Sequence, residues 1–530
     1  MKTRFRKSSI LWACILSILV ISSCTKEFGA MNTNPSKVTQ AQATGDLQYI
    51  GGFLPDMEQN IASPVDYIYQ IQQNLNADIF SGYMASPDYG FGPNNANYFM
   101  RYDWNAQAFD LANQHIMNNW SQVRLKARPQ DQHFVAIALI LKVEGMHRIT
   151  DIYGPIPYSQ YGTGNFYVPY DSQQAIYTRF FSELDTAVNV LSTYIKTFPG
   201  AMPFKPFDLV YGGDYKQWLK FANTLRLRLA MRIVYADPAT AQAQAEKAVA
   251  DPNGLLSAPT DDALLNQVNG LTYQNALWNI TNNYQDISMN ATMQSILEGY
   301  SDPREGVYFL KSVGNPNVYE ALRSGLDITT PIYINFSLLN VSPTTPMQIM
   351  NASESYFLRA EGALRGWNMG AGTAQQFYQQ GITASFVDKG VAMPAGYLTD
   401  ATSTAQNYVD PADATNNLAA LNNITIAWNN GDTFEHNLQR IITQKWLAIY
   451  PDGEEAWSDF RRTGYPKIFP VKVNHSGGTI TTVGFVKRLP YPSDELATNP
   501  KGVATGVAEL GGPDNGGTRL WWDKNPNVPN

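Results

Sequence analysis

Residues Leu438 to Pro466 read LQRIITQKWLAIYPDGEEAWSDFRRTGYP. Leu438, Ile441, Ile442, Trp446 and Ile449 recur at i, i+3, i+4, i+8 and i+11, which places them on one side of a helix and leaves Gln439, Arg440 and Gln444 on other faces. Pro451 breaks the chain. Asp452, followed three positions later by Glu455, has the spacing of a capping box, so a second, short helix is expected to start there. Arg461 and Arg462 fall in its last turn, where cations complement the helix dipole, while Gly464 suits the left-handed position after a helix and Pro466 prevents continuation. Glu454, Glu455 and Asp459 read as charges of its first turns. Trp446 and Trp457 lie on the apolar sides of two helices expected to face each other as an antiparallel pair, so both are expected to be structural. Such a pair buries its apolar faces only against neighbours of the same kind.

Other pairs are present. Ser353 to Trp367 and Thr373 to Phe386 flank Asn368 to Gly372, and Ser353 to Phe386 spans 34 residues, the length of one tetratricopeptide repeat. Asp214 and Gln217 again have capping-box spacing, before a stripe of Trp218, Phe221, Ala222, Leu225, Leu229 and Ile233. Asp171 and Gln174 precede another stripe, Ile176 to Leu191, and Phe134 to Ile149 has so little polar face that its helix should be central. A helix is also expected over Tyr67 to Phe80. Val471 to Val486 alternates around Ser476, Gly477 and Gly478 and predicts a small hairpin. Trp521 and Trp522 are expected to anchor an aperiodic tail. The fold class is mostly α, a tetratricopeptide-like scaffold of helix pairs with long inserted loops and a small β-hairpin.

The N-terminus fixes the compartment. Lys2, Arg4, Arg6 and Lys7 precede an apolar run from Ile10 to Ile21, too short for a normal membrane span, and Ser22 and Ser23 lead into Cys24. The ending ISSC resembles the lipobox of bacterial lipoproteins, which implies cleavage before Cys24 and lipidation of that residue. Residues 1–23 are thus expected to be a lipoprotein signal peptide, 24–40 a lipidated N-terminus and tether, and 41–530 a single domain. Cys14 would leave with the signal, so no internal disulfide remains. Loss of residues 1–23 would leave 34 basic against 45 acidic residues, a net charge of −11, which argues against nucleic acid as a partner. Charged residues are only 16%, below the roughly 25% of ordinary globular chains, and aromatic residues reach 12%, so the surface is expected to be rich in amides, hydroxyls and rings.

The sequence contains no G-x-S-x-G, Walker loop, G-x-G-x-x-G or H-E-x-x-H. His115, His133, His147, His436 and His475 are dispersed, the Asp251 and Asp261 segments read as turns, and neither metal nor cofactor is expected. Two stretches are irregular and rich in rings: Ser81 to Trp104, and Asp251 to Thr345. Each ring there has two uses open to it, pinning its loop to the core or stacking on a ligand. A scaffold of helix pairs presents its inserted loops on one side. The ligand-binding candidates are therefore Tyr83, Tyr89, Phe91, Tyr98, Trp278 and Tyr284 as stacking rings, with Asn94 and Asn97 as polar partners.

Four segments together resemble the SusD/RagB family of outer-membrane nutrient-binding lipoproteins: DIYGPIPYSQ with YDSQQAIY; DLVYGGDYKQWLKFANTLRLRLAMRI; ESYFLRAEGALRGW; and QKWLAIYPDGEEAWSDFRRTGYP with RLPYPSDEL and TRLWWDKN. The resemblance runs from the lipobox to the C-terminus and is weakest in Ser81 to Phe99 and Val268 to Pro346. It implies a lipid-anchored protein on the outer leaflet of the outer membrane that is not an enzyme. It also implies a SusC-like TonB-dependent transporter as partner, and an oligosaccharide, or a peptide in the RagB-like branch, as ligand. Low charge with abundant Tyr, Asn and Gln leans toward sugars, whose C–H faces stack on rings and whose hydroxyls need planar donors and acceptors. Arg461, Arg462 and Gly464 resemble scaffold positions and carry no binding role.

Overall fold

Helix boundaries follow the caps that the sequence supplies. In the computed structural model, which describes residues 45–528, the principal helices are α1 (Leu54–Ile61), α2 (Asn118–Lys126), α3 (Gln132–Tyr153), α4 (Gln173–Thr197), α5 (Tyr215–Arg232), α6 (Pro238–Ala250), α7 (Ala291–Gly299), α8 (Ser353–Leu364), α9 (Ala374–Asp388), α10 (Phe434–Ala448), α11 (Gly453–Thr463) and α12 (Pro500–Leu510). The signal peptide, Cys24 and the tether lie outside the described residues. Residues 45–52 form a separate unit with a one-turn helix, and all that follows concerns residues 53–528.

Thr373 and Gln376 form a complete capping box at α9. Asp214 caps α5 by accepting from the Lys216 N–H at 2.8 Å. At α4 the cap is Ser172, one residue later than expected, because the Asp171 carboxylate is drawn back to Ser159, accepting from its N–H at 2.7 Å and its hydroxyl at 2.6 Å. Asp452 caps α11, yet Glu455 does not close the box. Its carboxylate turns inward to Lys445, 2.7 Å away. Gly464, at φ 77°, ends that helix in the left-handed conformation that favours glycine.

Consecutive helices pack as neighbours: α3 on α4, α4 on α5, α5 on α6, then α8 on α9, with α5 touching α8 and α10 covering the α8–α9 pair. A Cβ on Gly381 would stand 2.8 Å from the Phe357 ring, which shows how closely α8 and α9 approach. The α10–α11 pair departs from expectation. Instead of facing each other, α10 lies on α8 and α9, while α11 lies on a π-helical segment, Gln70–Asp78. Trp446 and Trp457 are both buried, and they hold the chain around residues 79–83. The Trp446 indole donates to the Ser81 carbonyl at 2.9 Å beside the Tyr83 ring, and Trp457 packs on Phe80 and donates to the Val486 carbonyl at 3.1 Å.

All of α11 is buried, charges included, as are the polar residues of α10 from Asn437 onward. Their partners come from the other helices. Arg148 of α3 grips Asp452 at 3.0 and 2.9 Å and Glu144 at 3.0 Å. Arg228 of α5 binds Glu354 of α8, Lys445 of α10 reaches Glu455 and Asp459 at 2.7 Å each, and Arg462 binds Glu361 at 2.6 and 2.8 Å. Glu454, Glu455 and Asp459 are thus members of a buried ionic lattice more than helix-end charges. Desolvation offsets much of what such pairs gain, so their main effect is to fix which helices meet and in what register.

Residues 471–486 do not form a hairpin. Gly477 and Gly478 do turn at φ 64° and 87°, but the loop is closed by side chains, with the Asn474 amide donating to the Ile480 and Thr481 carbonyls at 3.1 and 3.2 Å. The sheets of the described residues are two antiparallel pairs between distant segments. β1 (Met84–Ala85) pairs with β3 (Ser288–Met289), and β2 (Ala263–Leu265) pairs with β4 (Met347–Met350). Trp522 anchors the tail, its indole donating to Asp151 at 2.7 Å.

Candidate functional site

The β1–β3 pair joins the two ring-rich stretches. Met84 lies opposite Met289 and Ala85 opposite Ser288, so the loop leaving β1 and the segment entering β3 emerge side by side. Asn290 fastens the joint, its amide donating to the Met84 carbonyl at 3.1 Å.

On the first side the chain turns at Asp88, whose carboxylate accepts from the Gly90 N–H at 2.5 Å, and this presents Tyr89 half in solvent, at 50% exposure. Phe91 stands edge-on to Trp104 at 5.3 Å, and the Arg101 guanidinium lies 4.7 Å over that indole. Phe99 and Tyr102 are exposed nearby in sequence. On the second side Asn275 caps a short helix, Ala276–Asn279, that carries the half-buried Trp278, and Tyr284 follows at 41% exposure. That short helix packs on another, Asp66–Tyr69, which bears the exposed Tyr67. Asn279 donates to Asp66, and Gln70 donates to Asp286. Burial and the neighbouring Asp88 carboxylate push Asp286 up to about 7, so two acids from the two sides meet.

Four candidates are buried. Tyr83 is fully buried, and its hydroxyl donates to the Trp446 carbonyl at 2.5 Å, so it belongs to the core. Tyr98 is also buried, at φ 68°, where the chain reverses after a 3-10 turn. Asn94 and Asn97 are buried because they build that turn. Asn94 caps it, and Asn97 accepts from the Asn94 N–H at 2.8 Å while donating to Asp327 at 3.1 Å. Both asparagines also line a cavity of about 240 Å³ shared with Asp88, Asp327 and His475, the last bonded to Asp327 at 2.9 Å. Tyr89, Phe91, Trp278 and Tyr284 remain available as rings. Tyr67, Trp104, Asp88 and Asp286 join them without having been singled out from sequence. Tyr67 stands in a helical stretch, and the two acids carry no pattern that marks them as neighbours.

Helix pairs stacked side by side, with rings and amides on the loops joined by the β1–β3 pair, define a tetratricopeptide-like scaffold with long inserted loops. The chain belongs to the SusD-like family: the family model described as Susd and RagB outer membrane lipoprotein matches residues 30–523. A solved structure of a chitin-binding SusD homolog from Flavobacterium johnsoniae is 48% identical, with a TM-score of 0.87, covering 91% of this chain and 99% of its own. A SusD homolog from Bacteroides vulgatus is 34% identical at TM-score 0.87, with the same coverage. One from Bacteroides uniformis is 36% identical at 0.84, covering 90% and 99%. No curated protein matches the chain. Among the described residues no helix is long and apolar enough to cross a membrane.

Proposed function

We propose that this protein is a surface-exposed lipoprotein of the outer membrane that binds oligosaccharides, chitin-type chains first among them, and delivers them to a SusC-like TonB-dependent transporter without cleaving them. The 48% identity to the chitin-binding homolog over nearly the whole of both chains carries this reading. The loop face supports it. Exposed Tyr89 and Tyr284 and half-buried Trp278 offer ring faces to sugar C–H groups, and amides and carboxylates beside them suit hydroxyls and acetamido N–H groups. Calorimetry with chitohexaose, beside an array of other glycans and peptides, tests it. Micromolar or tighter binding of the chitin fragment is expected, whereas binding to peptides alone would reassign the ligand. The anchor has its own test: Cys24→Ala should move the protein from the membrane to the soluble fraction, and a variant that still pellets with outer membranes lacking the transporter would contradict lipidation at Cys24.

A further inference from the structure

We propose a second carbohydrate-contact site on the helical scaffold itself, where α3 begins and α4 ends; as to ligand class, it rests on the oligosaccharide reading above. A groove of about 670 Å³ opens there between residues 129–133 and residues 189–198. Not one of its lining side chains carries a formal charge: they are amides such as Gln130 and Asn189, the hydroxyls of Thr193 and Thr197, and rings.

Three of the rings form a ladder. His133 stacks on Tyr194 at 4.2 Å with 30° between planes, and Tyr194 meets Phe198 at 5.1 Å. Phe198 follows the last turn of α4, its N–H bonded to the Tyr194 carbonyl at 2.8 Å, and its ring is 54% exposed. The ring thus offers an open apolar face beside the neutral amides and hydroxyls of the groove. At the inner end of the ladder His133 is only 7% exposed, its ring held by the stack on Tyr194 and by the Phe134 ring 4.6 Å away. Flat rings with neutral amides and hydroxyls beside them suit a neutral sugar chain. The uncharged lining disfavours an ionic ligand, which would lose its hydration without a counter-charge.

The test titrates the full-length lipoprotein in detergent micelles with chitohexaose. Wild type should show two classes of site. Phe198→Ala removes an exposed ring, so the melting temperature should hold while the scaffold site weakens roughly tenfold and the loop site is unchanged; the double variant Tyr89→Ala with Tyr284→Ala should do the reverse. In protein labelled at the histidine ring carbons, the His133 signal, identified by its loss in His133→Gln, should move as chitohexaose saturates the scaffold site. A Phe198→Ala titration superimposable on wild type, or a His133 signal unmoved at saturation, overturns the second site and leaves the loop-face reading standing. Failure of wild type to bind chitohexaose overturns both.

Discussion

α11 keeps Glu454, Glu455, Asp459, Arg461 and Arg462 out of water, while the loop from Ser86 to Trp104 leaves Tyr89, Phe99 and Tyr102 in it. The ordinary distribution, charges outside and rings inside, is inverted between these two regions. Most of the charges can be internal because they find partners on other helices, Glu455 and Asp459 at Lys445 of α10, Arg462 at Glu361 of α8 and Arg461 at the Asp151 carbonyl of α3, while Glu454 meets Ser458 and Arg461 of its own helix and is pushed by burial toward its neutral form. The rings can be external because the loop backbone is held by its own amides, Asn94, Asn95 and Asn97, and does not depend on ring burial for its shape. The residues that hold the scaffold and the rings proposed to bind ligand are therefore different ones, and each set can be changed without the other.

The sharpest break falls on the core. Arg462→Met takes the buried Arg462 bonds from Glu361 and Asp459, leaving Arg365 and Lys445 as their remaining partners, and a loss of about 3 kcal/mol is expected, read as a lowered denaturation midpoint. Trp446→Ala and Trp457→Ala should each cost about 3 to 5 kcal/mol as well, with ligand affinity retained by whatever fraction stays folded. A wild-type melting temperature together with selective loss of binding in either variant would move that tryptophan into the recognition region. On the loop face, Trp278→Ala, Tyr89→Ala and Tyr284→Ala should leave the melting temperature alone. A central stacking ring among them should cost about 2 kcal/mol of binding, roughly thirtyfold in affinity, and unchanged calorimetric affinity in all three would place the ligand elsewhere.

The gentlest probe is pH. Burial raises Asp78 and Glu454 to about 7 and Asp262 and Glu305 to about 8. These acids hold their protons more tightly folded than unfolded, so the stability they contribute is present below the ordinary carboxylate range near 4 and lost as pH rises through 7 to 8. His147 acts in the same direction. Burial opposes its charge, but Glu144 and Asp151 lift it to about 9, so its contribution is full below about 6.5 and lost toward 9. Glu144 and Glu361 run the other way: against the upward push of burial, His147 and Arg148 hold the first, and Arg462 and Arg365 the second, at about 2. Their contribution is present above about 4.5 and fades as pH falls toward 2. The melting temperature should peak near pH 5 and decline by pH 8, and a melting temperature that rises steadily to pH 8 would show the buried acids to be ionised in the folded protein.

The same inversion explains what could be read in advance. Periodicity and caps place α3, α4, α5, α8, α9, α10 and α11 because 3.6-residue spacing and a capping side chain are local properties. That α10 and α11 do not face each other was hidden, since the reason is a charge lattice whose members come from five helices. The hairpin expected over 471–486 failed because alternation cannot tell backbone pairing from closure by Asn474. On the loop face, Tyr83 and Tyr89 have the same ring and similar neighbours, and only the docking of Trp446 against the former separates core from surface. Asp88 and Asp286 meet through tertiary folding alone.

The β1–β3 clasp spans about 200 positions of sequence, from Met84 to Met289. Closing so distant a contact comes late, because its entropy is recovered only after intervening structure has formed. Helices α3 to α6 all lie in sequence between the two strands, so the clasp closes one long loop of chain that contains them. A chain stopped between Ala250 and Ser288 would leave the loop after β1 with nothing to clasp it and Arg148 and Arg228 without Asp452 and Glu354, so the loop face and the buried ion pairs are both completed only by the C-terminal half of the chain.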